Sequence, residues 1–234
     1  YLGQHLLSHL LENQCEDPSS GTELDIIAVY GSLESFANAK FESNRNNLMA
    51  KVSLDLTDSD KISNFIAKER PDVLVHLAAM SSPAACAKDP EKAMAINCPK
   101  TLVQACKKIG TFIIFLSTDH VYRGDRNEND PYYIETDSTS PINVYGESKL
   151  AFERLLQLKI PERSVSLRSS IILGPPTKNV CRKQTFLQFV YSRLANKQAT
   201  EYFSDEWRNV VFVKDICKII SWFIEQNVIK EVCG

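Results

Sequence analysis

The amino-acid sequence predicts an α/β protein, built as a doubly wound parallel sheet with helices on both faces. Two patterns indicate this fold class. Apolar stretches of strand length alternate with segments whose apolar residues recur at helical spacing, which is typical of parallel strands joined by crossover helices. The chain of 234 residues is also long enough for one large domain of this kind, or for such a domain with a small appended lobe.

The predicted elements alternate along most of the chain. Helices are predicted over residues 2–11, 58–70, 90–110 and 144–159, and between Asp215 and about Glu225. Strands are predicted over residues 25–30, 51–56, 73–79 and 112–118, and from residue 165 onward. The helix before Pro71 has apolar residues at Ile62, Phe65 and Ile66, and proline ends it because its ring cannot continue a helix. Residues 122–140 are polar and rich in turn formers, which predicts a surface loop.

The alternation weakens after Gly174, which predicts a small C-terminal lobe outside the main sheet. We therefore expect one domain over residues 1–165 and a partial second lobe over residues 166–234. The chain begins at Tyr1, directly in a helical segment, and ends just after another helix. From these two features we expect a first strand upstream of residue 1, and a chain that is truncated at both ends.

The composition excludes several classes of protein. With 27 basic and 29 acidic residues, the net charge of −2 gives no electrostatic reason to bind nucleic acid or a membrane surface. No apolar run approaches the roughly 20 residues that span a bilayer. Seven cysteines without a C-x-x-C pair indicate free thiols in a reducing compartment, the cytoplasm, and Cys86, Cys98 and Cys106 are expected on helical or loop surfaces. The four histidines have no metal-ligand spacing, so no metal site is predicted.

The strongest chemical signal is a tyrosine and a lysine that follow a hydroxyl-bearing strand end. Tyr145 and Lys149 are four residues apart, so a helix places them on one face. A neighbouring cation stabilises a phenolate and lowers the phenol pKa from its usual value of about 10. Thr118, at the end of a predicted strand, supplies a hydroxyl that can hold a carbonyl oxygen against the phenol. This pattern predicts a site that reduces a ketone or oxidises an alcohol beside a nicotinamide.

Three motifs carry a resemblance to a known family. They are Ser117-Thr118-Asp119-His120-Val121-Tyr122 with Gly124, then Glu135-Thr136-Asp137, and then the segment 141–153, which contains Tyr145 and Lys149. Together they resemble the extended short-chain dehydrogenase/reductase superfamily and, within it, the dTDP-4-dehydrorhamnose reductase (RmlD-like) family, over residues 3–215. The resemblance implies a Rossmann-type fold, with an NAD(P)-binding domain over residues 1–165 and a substrate-binding lobe over residues 166–234. It also implies that Thr118, Tyr145 and Lys149 form a catalytic set that acts on a nucleotide sugar or another small carbonyl substrate.

The same resemblance assigns cofactor-binding roles to residues at the strand ends and on two helices. The implied residues are Gly3, Asp55, Leu56, Ala78, Ala79, Asn97, Tyr145 and Lys149. Gly3 would be the last glycine of a Gly-rich turn, Asp55-Leu56 would lie near the adenine, and Asn97 would support the catalytic centre from its helix. Ala78-Ala79 would form a bend of small residues that leaves room for the nicotinamide half of the cofactor. The strand end at Tyr30-Gly31-Ser32 has no acid for a ribose hydroxyl, which favours NADP, with NAD as the alternative.

Two departures from the family pattern and a second resemblance leave an alternative open. His120 stands where the family has tyrosine, and Arg168-Ser169-Ser170-Ile171 lacks the aromatic residue of the rhamnose-synthesis enzymes. The segments Asp205-Glu206-Trp207-Arg208 and Val213-Lys214-Asp215 resemble the regulatory β subunits of methionine adenosyltransferases. This resemblance implies a non-catalytic, NADP-binding subunit whose partner is a methionine adenosyltransferase catalytic subunit. The family likeness also implies a homodimer formed through the helices that carry Tyr145 and Asn97.

Four further residues receive mainly structural predictions. Asp215 is predicted to be the N-cap of the helix that follows it, because its carboxylate can accept the exposed backbone N–H groups. His76 is predicted to be an ordinary strand residue. Trp207 and Arg208 are candidates for facing a substrate, with a surface or core role as the alternative.

Overall fold

The computed structural model describes residues 1–13, 24–31, 48–126, 132–177, 185–202, 204–205 and 208–232. These residues fold into two compact units, one of residues 54–169 and one of residues 1–53 with 170–234. The described elements are, in chain order, α1 (Leu2–Asn13), β1 (Ile26–Tyr30), β2 (Leu48–Ser53), α2 (Ser59–Glu69), β3 (Val73–His76), α3 (Pro83–Lys88), α4 (Pro90–Asn97), α5 (Lys100–Ile109), β4 (Phe112–Thr118), α6 (Val144–Lys159), β5 (Ser164–Ser169), β6 (Ile171–Leu173), α7 (Phe186–Ala195), β7 (Val210–Phe212) and α8 (Val213–Val232). The predicted α/β class with parallel strands is confirmed.

The unit of residues 54–169 is organised around a three-stranded parallel sheet in the order β3-β4-β5. Ile113 of β4 pairs with Leu74 of β3, and Ile114 pairs with Val165 of β5. Ile113, Ile114 and Phe115 have no exposed surface (0%). A strand that is buried on both faces needs a continuous apolar run, and the bounds predicted for this strand are therefore confirmed.

Three helices bury their apolar faces in one cluster with β4. The helical members of this cluster are Ile62 and Ile66 of α2, Leu102, Val103, Ala105 and Cys106 of α5, and Phe152 and Leu156 of α6. The i, i+4 spacing within α2 and α6 brings each pair onto one stripe, as the sequence periodicity predicts. The bounds of α6 agree with the predicted helix. This helix begins at the carboxyl end of β4, separated from it by the segment 119–143.

The predicted helix over residues 90–110 is wrong in one respect, because the structure divides it into α4 and α5. The break falls at Cys98 and Pro99, and Pro99 takes the N-cap position of α5. Proline has no N–H to continue the first helix, and it forces the preceding residue out of the helical region. A short helix that the sequence analysis did not predict, α3, begins after Ser82, whose hydroxyl accepts the Ala85 N–H at 3.4 Å.

Two strands end earlier than the sequence pattern predicts. β2 ends at Ser53, and the next residues form a turn in which the Asp55 carboxylate accepts the Thr57 N–H at 2.9 Å and the Thr57 hydroxyl at 2.8 Å. Such a side-chain-to-backbone bond competes with the ladder and terminates the strand. β3 ends at His76, so Ala78 and Ala79 lie in the segment that follows it.

The other unit contains two parallel strand pairs and two helices that pack together. β1 pairs with β2, and β6 pairs with β7. α1 and α8 are in contact, and each contributes buried aliphatic residues to this unit. Asp215 is the third residue of α8, which begins at Val213, so its predicted N-cap position is wrong by one turn. Glu206 and Trp207 lie outside the described residues, whereas Arg208 is exposed.

The prediction that cysteines lie on helical or loop surfaces is wrong for the described ones. Cys86, Cys98 and Cys106 are buried, because each faces inward from its helix or helix end. Cys217 is buried as well, and none of these four forms a disulfide. Burial raises the pKa of Cys106 to about 12, so this thiol stays protonated and unreactive. None of the described helices combines the length and apolar character needed to cross a bilayer. Within the described ranges, no group of three His, Cys, Asp or Glu side chains is arranged to hold a metal ion.

The aromatic cluster under α6 generates a stability prediction. Phe152 is fully buried (0%) and its ring lies 4.6 Å from that of Phe115 and 5.1 Å from that of His76. We expect Phe152→Ala to lower the free energy of unfolding by about 3–5 kcal/mol, because it removes buried area and leaves a cavity. Denaturant unfolding followed by circular dichroism measures this change.

Leu158 provides the matched control on the same helix, because 74% of its side chain is exposed. Leu158→Ala should change the free energy of unfolding by no more than about 0.5 kcal/mol. Equal effects of the two substitutions would contradict the packing described for Phe152.

Candidate active site

The candidate site begins at the carboxyl end of β4, where Thr118 is the last residue of the strand. Thr118 is buried, and its hydroxyl donates to Asp119 Oδ1 at 3.2 Å and accepts the His120 N–H at 3.2 Å. The second bond caps a short 3₁₀ turn, Asp119–Val121, which turns the chain sharply after the strand. The hydroxyl is therefore held at the strand end by its own neighbours, at the edge of the sheet where α/β proteins bind ligands.

The start of α6 is built to approach this strand end closely. Asn143 is the N-cap, and its Oδ1 accepts the Gly146 N–H at 2.9 Å. A Cβ added to Gly146 would lie 2.2 Å from the His120 carbonyl oxygen and 2.9 Å from Pro141 Cβ. Only glycine allows this approach, because the atoms nearest to the added carbon include backbone that cannot move aside. Tyr145, the residue before Gly146, is thereby brought to the end of β4.

Tyr145 and Thr118 are brought together as predicted. The Thr118 side chain is close enough to the phenol to affect its pKa, and the Tyr145 ring lies edge-to-face against His120, with ring centroids 5.6 Å apart and an interplanar angle of 73°. Burial raises the pKa of Tyr145, the Thr118 side chain lowers it by less, and the charges of Asp119 and Cys86 raise it further. The predicted lowering of this pKa by Lys149 is wrong for this structure, because desolvation of the phenol dominates.

Lys149 lies one turn beyond Tyr145 and is buried, with 2% of its surface exposed. Its Nζ lies 4.1 Å from the centroid of the Phe115 ring, a cation–π contact that partly replaces lost hydration. Burial lowers the pKa of Lys149 to about 7, and the charge of Glu153 opposes this shift. At neutral pH both the ammonium and the neutral amine are therefore accessible at this position, which suits a group that exchanges protons.

The Glu153 carboxylate is bound mainly to Arg168. Arg168 Nη2 donates to Glu153 Oε2 at 2.7 Å, and Nε donates to both carboxylate oxygens at 3.2 Å. Arg168 Nη1 also donates to the Tyr122 hydroxyl at 2.7 Å, and that hydroxyl donates to the Ile134 carbonyl at 2.9 Å. The loop after Asp119 is thus tied to α6 and β5. Most of its described residues between 122 and 140 are exposed, as predicted for a surface loop, but Tyr122 is buried. No local sequence pattern indicated these pairings, which join residues 12 to 46 positions apart.

Asn97, at the end of α4, connects α6 with the segment after β3. Its side chain is fully buried (0%), accepts the Met80 N–H at 2.7 Å and donates to the Met80 carbonyl at 3.2 Å. It also donates to Ser148 Oγ at 2.8 Å, and Ser148 donates to the Tyr145 carbonyl at 2.7 Å. Asn97 therefore supports the backbone that carries Tyr145 and contacts neither the phenol nor Lys149 in these bonds. The sequence analysis missed Ser148 and Met80, since the first is one of many serines and the second acts through its backbone.

The remaining predicted residues are not assembled around Tyr145 by any described contact. Ala78 and Ala79 lie between β3 and Met80, with Ala78 exposed. Asp55 is exposed, and its hydrogen bonds with Thr57 lower the pKa of its carboxyl group. Leu56 is half-buried in the same turn, and Gly3 lies in α1 of the other unit.

His76 is a strand residue, as predicted, and lies in the aromatic layer beneath Lys149. It stacks on Phe115 with ring centroids 5.6 Å apart. Burial, and to a smaller extent the charge of Lys149, lowers the pKa of His76 to about 3, so this ring stays neutral. Its Nε2 is one of three buried side-chain polar atoms without a hydrogen-bond partner among the described residues.

The fold and this site define a class of protein: a Rossmann-type α/β chain with threonine, tyrosine and lysine gathered at the carboxyl end of a central strand. The family model described as the RmlD substrate binding domain matches residues 30–233. The chain belongs to this RmlD-like family of extended short-chain dehydrogenases/reductases.

Similar proteins carry two kinds of name. The dTDP-4-dehydrorhamnose reductase of Shigella flexneri is 36% identical over 105 residues, which cover 44% of this chain and 34% of that protein. The methionine adenosyltransferase 2 subunit beta of Danio rerio is 36% identical over 127 residues, which cover 54% of this chain and 38% of that protein. The crystal structure of a hypothetical dTDP-4-dehydrorhamnose reductase from Sulfolobus tokodaii matches with a TM-score of 0.69 and 28% identity, over 95% of this chain and 70% of that one. The chain spans about half the length, or less, of the curated relatives it matches.

Buried Lys149 predicts a pH dependence of stability. Its pKa is about 7 when folded, against 10.5 for an ordinary lysine, so the unfolded chain binds more protons between these values. The contribution of Lys149 to stability therefore rises with pH across this window and is most unfavourable below pH 7. We expect Lys149→Met to stabilise the protein relative to wild type at about pH 6. This stabilisation should be a few kcal/mol larger than at about pH 10, because one pKa unit corresponds to about 1.4 kcal/mol.

Urea unfolding of both proteins at the two pH values measures this difference. Lys159→Met is the matched control, because Lys159 lies on the same helix with its side chain exposed. A stability difference for Lys149→Met that stays constant with pH would contradict the burial of a titrating amine.

Proposed function

We propose that the full-length protein is an NAD(P)H-dependent reductase of the extended short-chain type, which reduces a keto group on a nucleotide sugar such as dTDP-4-dehydrorhamnose. One observation carries this proposal: the Tyr145 phenol lies beside the Thr118 side chain at a strand end, with buried Lys149 one turn along the same helix. This arrangement provides a proton donor, a hydroxyl that orients a carbonyl oxygen, and an amine that can be charged or neutral. Membership of the RmlD-like family and the similarity to named reductases support the same substrate class.

Each member of the set has a distinct role in the proposed reaction. A reduced nicotinamide supplies the hydride for the carbonyl carbon. Tyr145 donates its proton to the carbonyl oxygen, and a positioned general acid of this kind contributes about 10²–10⁴-fold. Thr118 would orient the same oxygen by turning its one hydroxyl proton from Asp119 Oδ1 to the carbonyl oxygen, while its Oγ1 still accepts the His120 N–H. Lys149 stabilises the phenolate that remains, and its pKa of about 7 allows it to return a proton to the phenolate at neutral pH.

The residues present fit the nicotinamide half of such a cofactor. Tyr145 and Lys149 would hold its ribose through the phenol and the amine, and the small side chains of Ala78 and Ala79 would leave room at the end of β3. Asn97 would keep that segment in place through Met80. At the adenine half, Gly3, Asp55 and Leu56 stay predicted contacts.

The residues at the end of β1, in the other unit, are the basis for the proposed choice between NADP and NAD. Tyr30 and Gly31 offer no acid to a ribose hydroxyl, so NADP is the proposed cofactor and NAD the alternative. The division into an NAD(P)-binding domain over residues 1–165 and a substrate lobe over residues 166–234 likewise stays a prediction. The buried free thiols of the described cysteines support the proposed cytoplasmic location.

Removal of the Tyr145 hydroxyl tests the proposed reaction. In the full-length protein with NADPH and a dTDP-4-keto-6-deoxy sugar, Tyr145→Phe should lower turnover at least about 100-fold, because the proton donor is lost. Cofactor affinity should fall by far less than turnover, since only the bond of the phenol to the ribose is lost and Lys149 remains. Absorbance of the reduced nicotinamide measures turnover, and fluorescence titration measures binding.

Tyr132→Phe is the matched control, since 66% of that side chain is exposed. It should leave both turnover and binding unchanged. Full turnover by Tyr145→Phe would remove Tyr145 from the proton-donor role and, with it, the mechanism.

A second function is favoured by the similarity to methionine adenosyltransferase 2 subunit beta. On this alternative the chain binds NADP without turnover and acts by binding a methionine adenosyltransferase catalytic subunit. Size-exclusion chromatography of the full-length protein mixed with such a subunit measures complex formation. Co-elution, together with NADPH binding and no carbonyl-dependent oxidation, is the result expected of a regulatory subunit. Separate elution with keto-sugar-dependent oxidation is the result expected of the reductase.

A further inference from the structure

His120 packs against the first turn of α6, which carries Tyr145. Its ring meets the Tyr145 ring edge-to-face at 5.6 Å, its Nδ1 lies 3.0 Å from Asn143 Nδ2, and its carbonyl oxygen occupies the space that a side chain at position 146 would need. One residue therefore contacts the N-cap, the tyrosine and the glycine of this turn.

The hydrogen bonds around Asn143 determine which imidazole nitrogen carries the proton. Asn143 Oδ1 accepts the Gly146 N–H at 2.9 Å, and a backbone N–H can only donate. The amide orientation is therefore fixed, and Nδ2 is the group that faces His120 Nδ1. An NH₂ group donates, so Nδ1 carries a lone pair and the proton of the neutral ring is on Nε2.

We infer that His120 is a positioning residue for Tyr145. His120 acts in this way only as the neutral Nε2–H tautomer held by Asn143. This inference rests on the proposed role of Tyr145 as proton donor. A second proton on the ring would bind at Nδ1. The resulting Nδ1–H would face the Nδ2–H of Asn143, and two donors cannot form a hydrogen bond with each other. The ring would then lose its anchor and place a positive charge beside the phenol. Protonation of His120 thus releases Tyr145 from its aligned position, and turnover falls on the acid side of the pH profile.

Several titratable groups among the described residues share this region and can modify the titration of the ring. They are Asp119 in the same 3₁₀ turn, Tyr145, Glu147 and Lys149 on α6, and Cys86 on α3, which packs against α6. The Asp119 carboxylate accepts the Thr118 hydroxyl, and Cys86 donates to the Met80 carbonyl at 3.0 Å. The bond between Asn143 and His120 is therefore the contact to alter.

Substitutions at position 143 can change the partner of the ring while they keep the helix cap. Asparagine, aspartate and serine are about equally good N-caps, so Asn143→Asp and Asn143→Ser should both retain α6. Asn143→Asp presents an acceptor to Nδ1, which attracts a proton there, whereas Asn143→Ser removes the amide donor without adding a charge. His120→Tyr installs the usual family residue, which does not titrate in the range of about pH 5 to 8.

The first readout is the pH dependence of turnover by the full-length protein with NADPH and a dTDP-4-keto-6-deoxy sugar. Wild type should lose turnover on the acid side, and His120→Tyr should abolish that loss. In Asn143→Asp the carboxylate accepts the Nδ1–H and keeps the protonated ring anchored, so the loss on the acid side should be smaller than in wild type. Asn143→Ser should reduce turnover at neutral pH and retain the thermal stability of the wild type. An acid limb that is unchanged in both Asn143→Asp and His120→Tyr would overturn the inference.

The second readout does not need turnover. In ¹⁵N-detected NMR the four histidines give few ring signals, and His120 is assigned by its loss in His120→Tyr. Wild type should show an unprotonated Nδ1 at neutral pH, and the Tyr145 ring signals should shift with the same midpoint as His120 protonation. Both midpoints should rise together in Asn143→Asp. The inference would be overturned by a protonated Nδ1 in wild type, or by Tyr145 signals that do not follow His120 protonation. Coupled titration of His120 and Tyr145 without turnover at any pH would instead refute only the proposed function.

Discussion

The close approach between Gly146 and the His120 carbonyl is the constraint on which the rest of the site depends. The chain leaves β4 at Thr118, turns once, and returns through the segment 122–143 to begin α6 against that same turn. A side chain at position 146 would meet backbone at 2.2 Å, so the helix could not start where it does. With glycine there, Asn143 caps the helix and Tyr145 reaches Thr118. The relative position of the hydroxyl and the phenol is thus set by a backbone contact.

Burial dominates the electrostatics of the two titratable groups on α6. Lys149 and Tyr145 are both moved away from their charged forms, since burial lowers the pKa of the amine to about 7 and raises the pKa of the phenol. An exposed pair at this spacing would attract each other and favour both charges. Here desolvation is the larger effect, and the carboxylate nearest to the amine, Glu153, is bound to Arg168. At neutral pH the protein therefore holds a protonated phenol beside an amine that is near its titration midpoint, and the phenol keeps its proton until a reaction removes it.

The support of the site comes from two networks that approach α6 from different directions. On one side, Asn97 and Ser148 join the backbone of Met80 to the backbone of Tyr145. On the other, Arg168 joins Glu153 to the loop that contains Tyr122. Each network fixes backbone or loop position and leaves the phenol and the amine to the reaction.

The sequence by itself determined the α/β class, the bounds of β4 and α6, and the presence of Thr118, Tyr145 and Lys149 at a strand end and on one helix face. These features depend on local patterns, namely a continuous apolar run, a capping asparagine and an i, i+4 spacing. The split of the predicted helix over residues 90–110 was also readable in principle, because Pro99 breaks it locally. Only the tertiary structure decided the rest. The direction of the Tyr145 pKa shift, the inward position of the described cysteines, the partners of Asn97 and the tautomer of His120 all depend on desolvation and on contacts between residues far apart in the chain. A one-dimensional pattern does not specify these, because burial is a property of what packs around a residue in space.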